Sequence, residues 1–328
     1  MKLASLTRVR EVPIFLALLF LLVLTAALNP AFLSGDGMNA ILTEAALIAF
    51  LAAGQTNLII MRHIDLSVSS TAGLVSFLVG NYSMNNAGIP FLQAVAIAVG
   101  VGAAVGIVNG ALVAYLGLPS LVVTIATLYI VRGIFNYLAG GITVTADTLP
   151  SYFAEIGSGS FLGIPLLFWI AGVAAVIMTI VLRYTRWGRD LYAIGSNPAA
   201  ASRVGIPVAH REFAAFVLNG VIAGLAGLIL LARFSFADAT AGLGIELYVV
   251  AACVIGGVAI AGGVGTAIGA LIGAVLLQTI TFTLGALGVS QFWQQAVAGA
   301  LLVLAIAFDR IVSLRGSTKV QRLVEAPV

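Results

Sequence analysis

Charged side chains are missing from two long stretches, Leu66 to Val131 and Leu247 to Phe308, and each can hold about three membrane-crossing helices broken by turns. The first stretch breaks at Asn85-Asn86-Ala87-Gly88-Ile89-Pro90 and again at Gly117-Leu118-Pro119-Ser120, both clusters of turn residues. Read along the whole chain, the apolar runs predict about ten crossings, at residues 12–28, 40–61, 66–84, 91–115, 120–139, 164–182, 213–232, 247–262, 265–285 and 293–308.

Composition turns this pattern into a class. The chain has 328 residues, 61% of them apolar and 8% charged, with a mean hydropathy of +1.16. A soluble domain carries about 25% charged residues, so this surface is too poor in charge to face water. The expected fold is all-α, a single polytopic transmembrane domain over 1–328 with little left for a separate aqueous domain. Net charge is +3. No basic stripe is interleaved with aromatics, so nucleic acid is not an expected partner, whereas the lipid bilayer is. One cysteine, Cys253, excludes an intrachain disulfide, and two histidines without clustered ligands argue against a metal site.

Placement of the bases sets the expected orientation, because cytoplasmic connections retain the positive excess. With ten crossings and an inner N-terminus, inward segments hold Lys2, Arg8, Arg10, Arg62, Arg183, Arg186, Arg189, Arg203, Arg211, Arg310, Arg315, Lys319 and Arg322, thirteen of the 15 Lys and Arg residues. Both termini are then cytoplasmic. The first 28 residues also have the order of a signal peptide, bases before an apolar run, but no cleavage site follows and its removal would upset the even count.

Val95-Ala96-Ile97-Ala98 leads into Gly102, Gly106 and Gly110, and Val258-Ala259-Ile260-Ala261 leads into Gly265, Gly269 and Gly273 at the same spacing. Glycine at every fourth position leaves a groove in which another backbone can lie closely. Shared composition explains the echo as well as descent does; if real, it makes the fourth and ninth crossings equivalent and opposite in direction, an inverted repeat.

The longest polar stretch, 183–211, has its own punctuation. Asn197 followed by Pro198, Ala199, Ala200 and Ala201 predicts a short helix with an Asn cap and Pro in its first turn, and Gly205 supplies the stop. A short helix lying on the inner face suits docking to a cytoplasmic partner, or it merely connects two spans.

Three segments carry a further signal: Gly188-Arg189 and Gly195-Ser196-Asn197 with the small-residue helix to Arg203 and its end at Gly205-Ile206; Ile64-Asp65-Leu66-Ser67-Val68; and Gly244-Ile245-Glu246-Leu247 through Ala251-Ala252-Cys253-Val254-Ile255-Gly256-Gly257. Taken together, they resemble the ribose-type sugar permease family of bacterial ABC importers. The likeness covers about Asn29 to Asp309. Arg62 and His63 stand where glycines are common, Ser69-Ser70 replaces Gly-Ser, and Val264 stands where a base often follows. Arg62-His63 and Phe292-Trp293-Gln294-Gln295 look closest to the rhamnose and autoinducer-2 branch. The resemblance implies a bacterial inner-membrane importer with a cytoplasmic ATP-binding subunit, a periplasmic sugar-binding protein and a second permease subunit, identical or not. It casts 188–205 as the segment coupled to the ATPase. This chain has no Gly-x4-Gly-Lys-Ser/Thr loop, and its only lysines, Lys2 and Lys319, lie near its ends, so ATP and Mg are expected on the partner.

Polar groups inside a membrane are costly and mark either a path or a helix register. Arg132 lies about 18 Å into its span and calls for a partner, Glu44 or Glu246. Asp65 with Ser67 reads as a cap on the third span rather than a titrating group. Gln55, Asn57, Asn109, Asn219 and Gln278 suit either the path of an uncharged polyol or interhelical hydrogen bonds. Few titratable groups lie inside spans, which argues against the rival reading, a proton- or ion-coupled transporter acting alone. No His-Glu-x-x-His pair, paired intramembrane aspartates or nucleophile–base arrangement points to an enzyme.

Overall fold

The structure, a computed structural model, describes residues 11–28, 34–86, 88–290, 293–297, 299–300, 303–304 and 307. The described chain is a helical bundle: α1 (Glu11–Leu28), α2 (Gly35–Ile60), α3 (Val68–Asn85), α4 (Phe91–Ala114), α5 (Ser120–Ala139), α6 (Ser151–Ser158), α7 (Leu166–Tyr184), α8 (Arg186–Ser196), α9 (Pro198–Arg203), α10 (Val208–Phe234), α11 (Ile245–Ile255) and α12 (Ala267–Ala286). A small hairpin of β1 (Ser160–Phe161) and β2 (Ile164–Pro165) precedes α7.

Among the described residues, six helices are long and apolar enough to cross a membrane: α2, α4, α5, α7, α10 and α12. Burial separates inner from outer helices. The apolar windows of α2 and α10 are 61% buried, against 22% for α4 and 28% for α7, so α2 and α10 form the centre and the others present apolar sides to lipid. Leu92, Tyr129, Ile130 and Val173 are among those outward-facing side chains.

Two expectations about helices need correction. Residues 247–262 are not one span: α11 ends at Ile255, about 16 Å after it begins, and a loop continues to Thr266. Gly257, Gly262, Gly263 and Gly265 in that loop have φ of 85°, 85°, 75° and 138°, values an α-helix cannot contain. Consequently Val258–Ala261 is loop where Val95–Ala98 is helix, and the two echoing runs share composition but not conformation. The expected span 293–308 lies partly outside the described residues.

The glycines of the first run lie in the seam between α4 and α10. A Cβ on Gly102 would strike the Gly220 carbonyl, one on Gly106 would lie 2.6 Å from the Phe216 carbonyl oxygen, and one on Gly110 would sit 3.1 Å from Phe213 and Phe216. Gly269 and Gly273 instead let α12 close on the end of α11, against Gly256 and Ala252. Lipid supplies no hydrophobic drive between helices, so this backbone proximity is the source of dispersion contact.

Candidate functional site

Residues 186–205 emerge from the bundle at the end where Arg62, Arg183 and Arg211 also lie. Thr185 opens α8 by accepting the Gly188 N–H at 3.0 Å, and Gly188 packs so tightly on Leu182 that no Cβ fits. Arg189 folds back to donate to the Tyr184 carbonyl at 3.0 Å. Asn197 ends α8 and caps α9, its Oδ1 accepting the Ala200 N–H at 3.0 Å, with Pro198 in the first turn. Ala199, Ala200, Arg203 and Gly205 are exposed while Ala201 is buried, and Gly205 has φ 84° where α9 turns toward α10. The segment is thus a rigid base, α8, carrying a short solvent-facing helix, α9.

Hydrogen bonds tie α8 to both irregular loops at this end. Arg62 Nε donates to the Gly195 carbonyl at 2.6 Å and Nη2 to the Ser196 carbonyl at 2.8 Å. Gly263 N–H donates to the Ile60 carbonyl at 2.8 Å, and Tyr192 Oη donates to the Gly265 carbonyl at 2.7 Å. Arg211, near the start of α10, pairs with Asp190 at 2.7 Å, and His63 Nε2 lies 3.2 Å from Glu212 Oε1.

Deeper in the bundle, polar side chains converge on the break between α2 and α3. Asp65 is 1% exposed; its Oδ1 accepts from the Ser67 N–H at 2.9 Å and from Ser67 Oγ at 2.6 Å, and its Oδ2 accepts from Asn219 Nδ2 at 3.1 Å. Asn109 Nδ2 donates to Ser67 Oγ at 2.9 Å and its Oδ1 accepts from Thr127 at 2.6 Å. Gln55, with its amide turned so that donor meets acceptor, pairs with both backbone groups of Asp65 at 2.9 and 3.2 Å. Asn219 is eleven residues beyond Val208, about 17 Å along α10, so α3 begins within the bundle and not at its surface. The expected cap takes a different form: Asp65 turns the chain before α3, and the Ser67 hydroxyl serves Asp65 and Asn109 rather than α3 amides. Asn57 lies apart from this network, fully buried, and both its amide atoms lack a partner among the described residues.

A second re-entrant segment approaches from the other end. Ala237 pairs with Val144, whose side chain rests on Gly80, while the Ala241 carbonyl meets Gly73 and Gly242 meets the Ser69 carbonyl. Residues 237–242 therefore descend about 16 Å along α3 before α11 starts. Arg132 holds them: Nη1 donates to the Ala241 carbonyl at 2.8 Å and the Ala239 carbonyl at 3.3 Å, and the guanidinium lies 5.4 Å from the Phe135 ring centre. The expected ion pair of Arg132 is absent among the described residues, because Glu44 pairs with Arg233 and Glu246 acts on Arg132 only through space. Main-chain carbonyls take up the Nη1 donor without requiring a second desolvated charge, while Nε and Nη2 are buried with no hydrogen-bond partner among the described residues. Gln278 and Glu44 line a cavity of about 570 Å³ with Tyr248, Thr281 and Gln295, whereas Asp65, Asn109 and Asn219 lie in the packed network.

Arg62, Tyr192, Thr127 and the Gly262-Gly263 pair were not singled out as site residues by their sequence. Arg62 carried one usable signal, an isolated base just before the charge-free stretch that starts at Leu66; Thr127 carried none, since its partner lies on another helix.

A family model for the permease component of branched-chain amino acid transport systems matches residues 37–306. The chain is 35% identical over 300 residues to the autoinducer 2 import system permease protein LsrC of Salmonella paratyphi B (strain ATCC BAA-1250 / SPB7), covering 92% of this chain and 86% of that protein. It is 35% identical over 309 residues to the protein of the same name from Enterobacter sp. (strain 638), covering 93% and 88%. Against that of Escherichia coli O157:H7 it is 33% identical over 300 residues, covering 92% and 86%. No solved structure matches the chain.

Proposed function

This chain belongs to the permease-component family of branched-chain amino acid transport systems, and from that membership we propose how its bundle is driven. It is a membrane-spanning permease subunit of an ATP-driven ABC importer for a sugar or sugar-like molecule, a transport component rather than an enzyme. Autoinducer 2, named in its relatives' description, is the cargo we infer. ATP and Mg are held by a separate ATP-binding subunit, a periplasmic binding protein delivers the cargo, and a second permease subunit, of the same or another sequence, completes the pathway. Ten traverses of a bacterial inner membrane, counting α11 and its loop as one, keep both termini cytoplasmic and leave the basic end on the inside.

The single observation that carries the reading is the exposed helix α9 standing on α8, which is hydrogen-bonded to the loops after α2 and after α11. A push on α9 by the closing ATPase reaches two of the places where the chain breaks within the bundle, the α2–α3 and α11–α12 loops. Breaks of that kind are where a helical bundle can bend without losing satisfied backbone groups. The rocking that follows would open the cargo path inward.

Ala200→Pro tests this. Proline removes the N–H that Asn197 caps and so dismantles the start of α9 without touching a transmembrane helix. The expected result is normal membrane insertion with ATP-dependent uptake of autoinducer 2 abolished. Uptake at the unaltered rate would overturn the assignment of α9.

A further inference from the structure

Arg62 holds a backbone conformation foreign to its type. Its φ is 71°, in the left-handed region, where a non-glycine side chain is strained, and the residue sits on the surface between the end of α2 and the buried Asp65. From there its guanidinium reaches the last two carbonyls of α8, at 2.6 Å and 2.8 Å. Those carbonyls have no partner within their own helix and form its negative end, so a forked cation is the fitting partner. Gly262 packs directly on the Arg62 stem; a Cβ there would lie 3.0 Å from Nε. Only two residues separate Arg62 from Asp65, whose backbone is fixed by Gln55 and whose carboxylate is bound to Ser67 and Asn219.

We infer that Arg62 is a positioning residue for transport: a two-pronged link that carries movement of the ATPase-coupled segment into the α2–α3 break. This rests on the reading of 186–205 as the coupled segment and adds which side chain transmits the motion. Without the guanidinium, α8 would lose its direct hydrogen bonds to the turn after α2, and movement would reach that turn only by packing and by the longer relay of Tyr192 to the Gly265 carbonyl and Gly263 N–H to the Ile60 carbonyl. Hydrolysis would continue and movement of the α2–α3 break would lag behind it.

The substitutions separate this role from a structural one. Arg62→Gly removes both hydrogen bonds yet relieves the left-handed strain, so it should not unfold the protein. Arg62→Lys keeps the charge but offers a point donor in place of a fork and should span the two carbonyls poorly. The experiment uses the full importer, purified with its ATP-binding subunits and reconstituted in liposomes with the binding protein, and measures autoinducer 2 taken up per ATP hydrolysed. Arg62→Gly should co-purify with the ATPase at the normal level, hydrolyse ATP, and lose at least about tenfold in uptake per ATP, the factor that one of its two charge-assisted hydrogen bonds already supplies. Arg62→Lys should fall between. An unchanged ratio in Arg62→Gly overturns the link and leaves the coupled segment standing. Loss of the ATPase from the Arg62→Gly complex also overturns it, by making Arg62 part of the docking surface. Failure of the ATPase to co-purify with the unaltered chain overturns both.

Discussion

Gly195 and Gly205 both carried over from the same motif, yet a single methyl group should affect them differently. At Gly195 the added carbon would collide with the Ile60 carbonyl and lie 2.6 Å from Gly263 N, so backbone on two sides must move apart. At Gly205 nothing lies within 4 Å, and the only penalty is the φ of 84°. Gly195→Ala should therefore lower stability by about 3 kcal/mol or more through overpacking, and Gly205→Ala by only about 1 kcal/mol. Thermal unfolding of the purified proteins in one detergent checks this, and equal losses would contradict the packing seen around Gly195. At this scale the sequence was readable where partners are near neighbours. Asn197 capping Ala200 is a three-residue pattern, and Asp65 reaching Ser67 a two-residue one. Arg132 was misread because its partners are carbonyls of Ala239 and Ala241, which leave no side-chain signature.

Helix against helix, the same reasoning sorts glycines by face. Gly220 faces α4 so closely that a Cβ would meet the Gly102 carbonyl and lie 2.8 Å from Gly106 Cα, whereas Gly133 on α5 has nothing within 4 Å. Gly220→Val should force α4 from α10, costing about 3 kcal/mol or more, while Gly133→Ala should be neutral or stabilising by about 0.5–1 kcal/mol. Chemical unfolding of both variants in mixed micelles distinguishes them; a tolerated Gly220→Val would mean that the seam is loose. The period of four in Gly102, Gly106 and Gly110 made one side of this seam visible. Its partners Gly220 and Gly224 also repeat at four, but within an apolar run of Ala, Val and Leu they carried no contrast. The end of α11 was missed for a related reason: hydropathy continues smoothly from Ile255 to Ile260 while backbone geometry does not. Hydropathy reports the solvent, not the conformation, and only the density of glycines after 255 hinted at a loop.

For the molecule as a whole, the apolar fraction and its interruptions were enough to place most helices, because lipid leaves a spanning chain few alternatives. What they could not convey is the interior route, in which residues 237–242 run down α3 and α3 itself begins about 17 Å along α10. Orientation follows from charge alone and can be tested with the chain's own chemistry. Cys253 is the only cysteine and is wholly buried, so it gives no background toward a membrane-impermeant thiol reagent. Ala200 on α9 and Ser160 on β1 are both exposed, and α7 separates the elements that carry them. With bases retained inside, Ala200→Cys should label only in inverted vesicles and Ser160→Cys only in right-side-out vesicles. Labelling of both from one side would mean that α7 does not cross, and labelling with the sides exchanged would put α9 out of any ATPase's reach. Since the proposed drive enters through α9, the second outcome would remove its mechanical basis even if every contact between α8 and the bundle were correct.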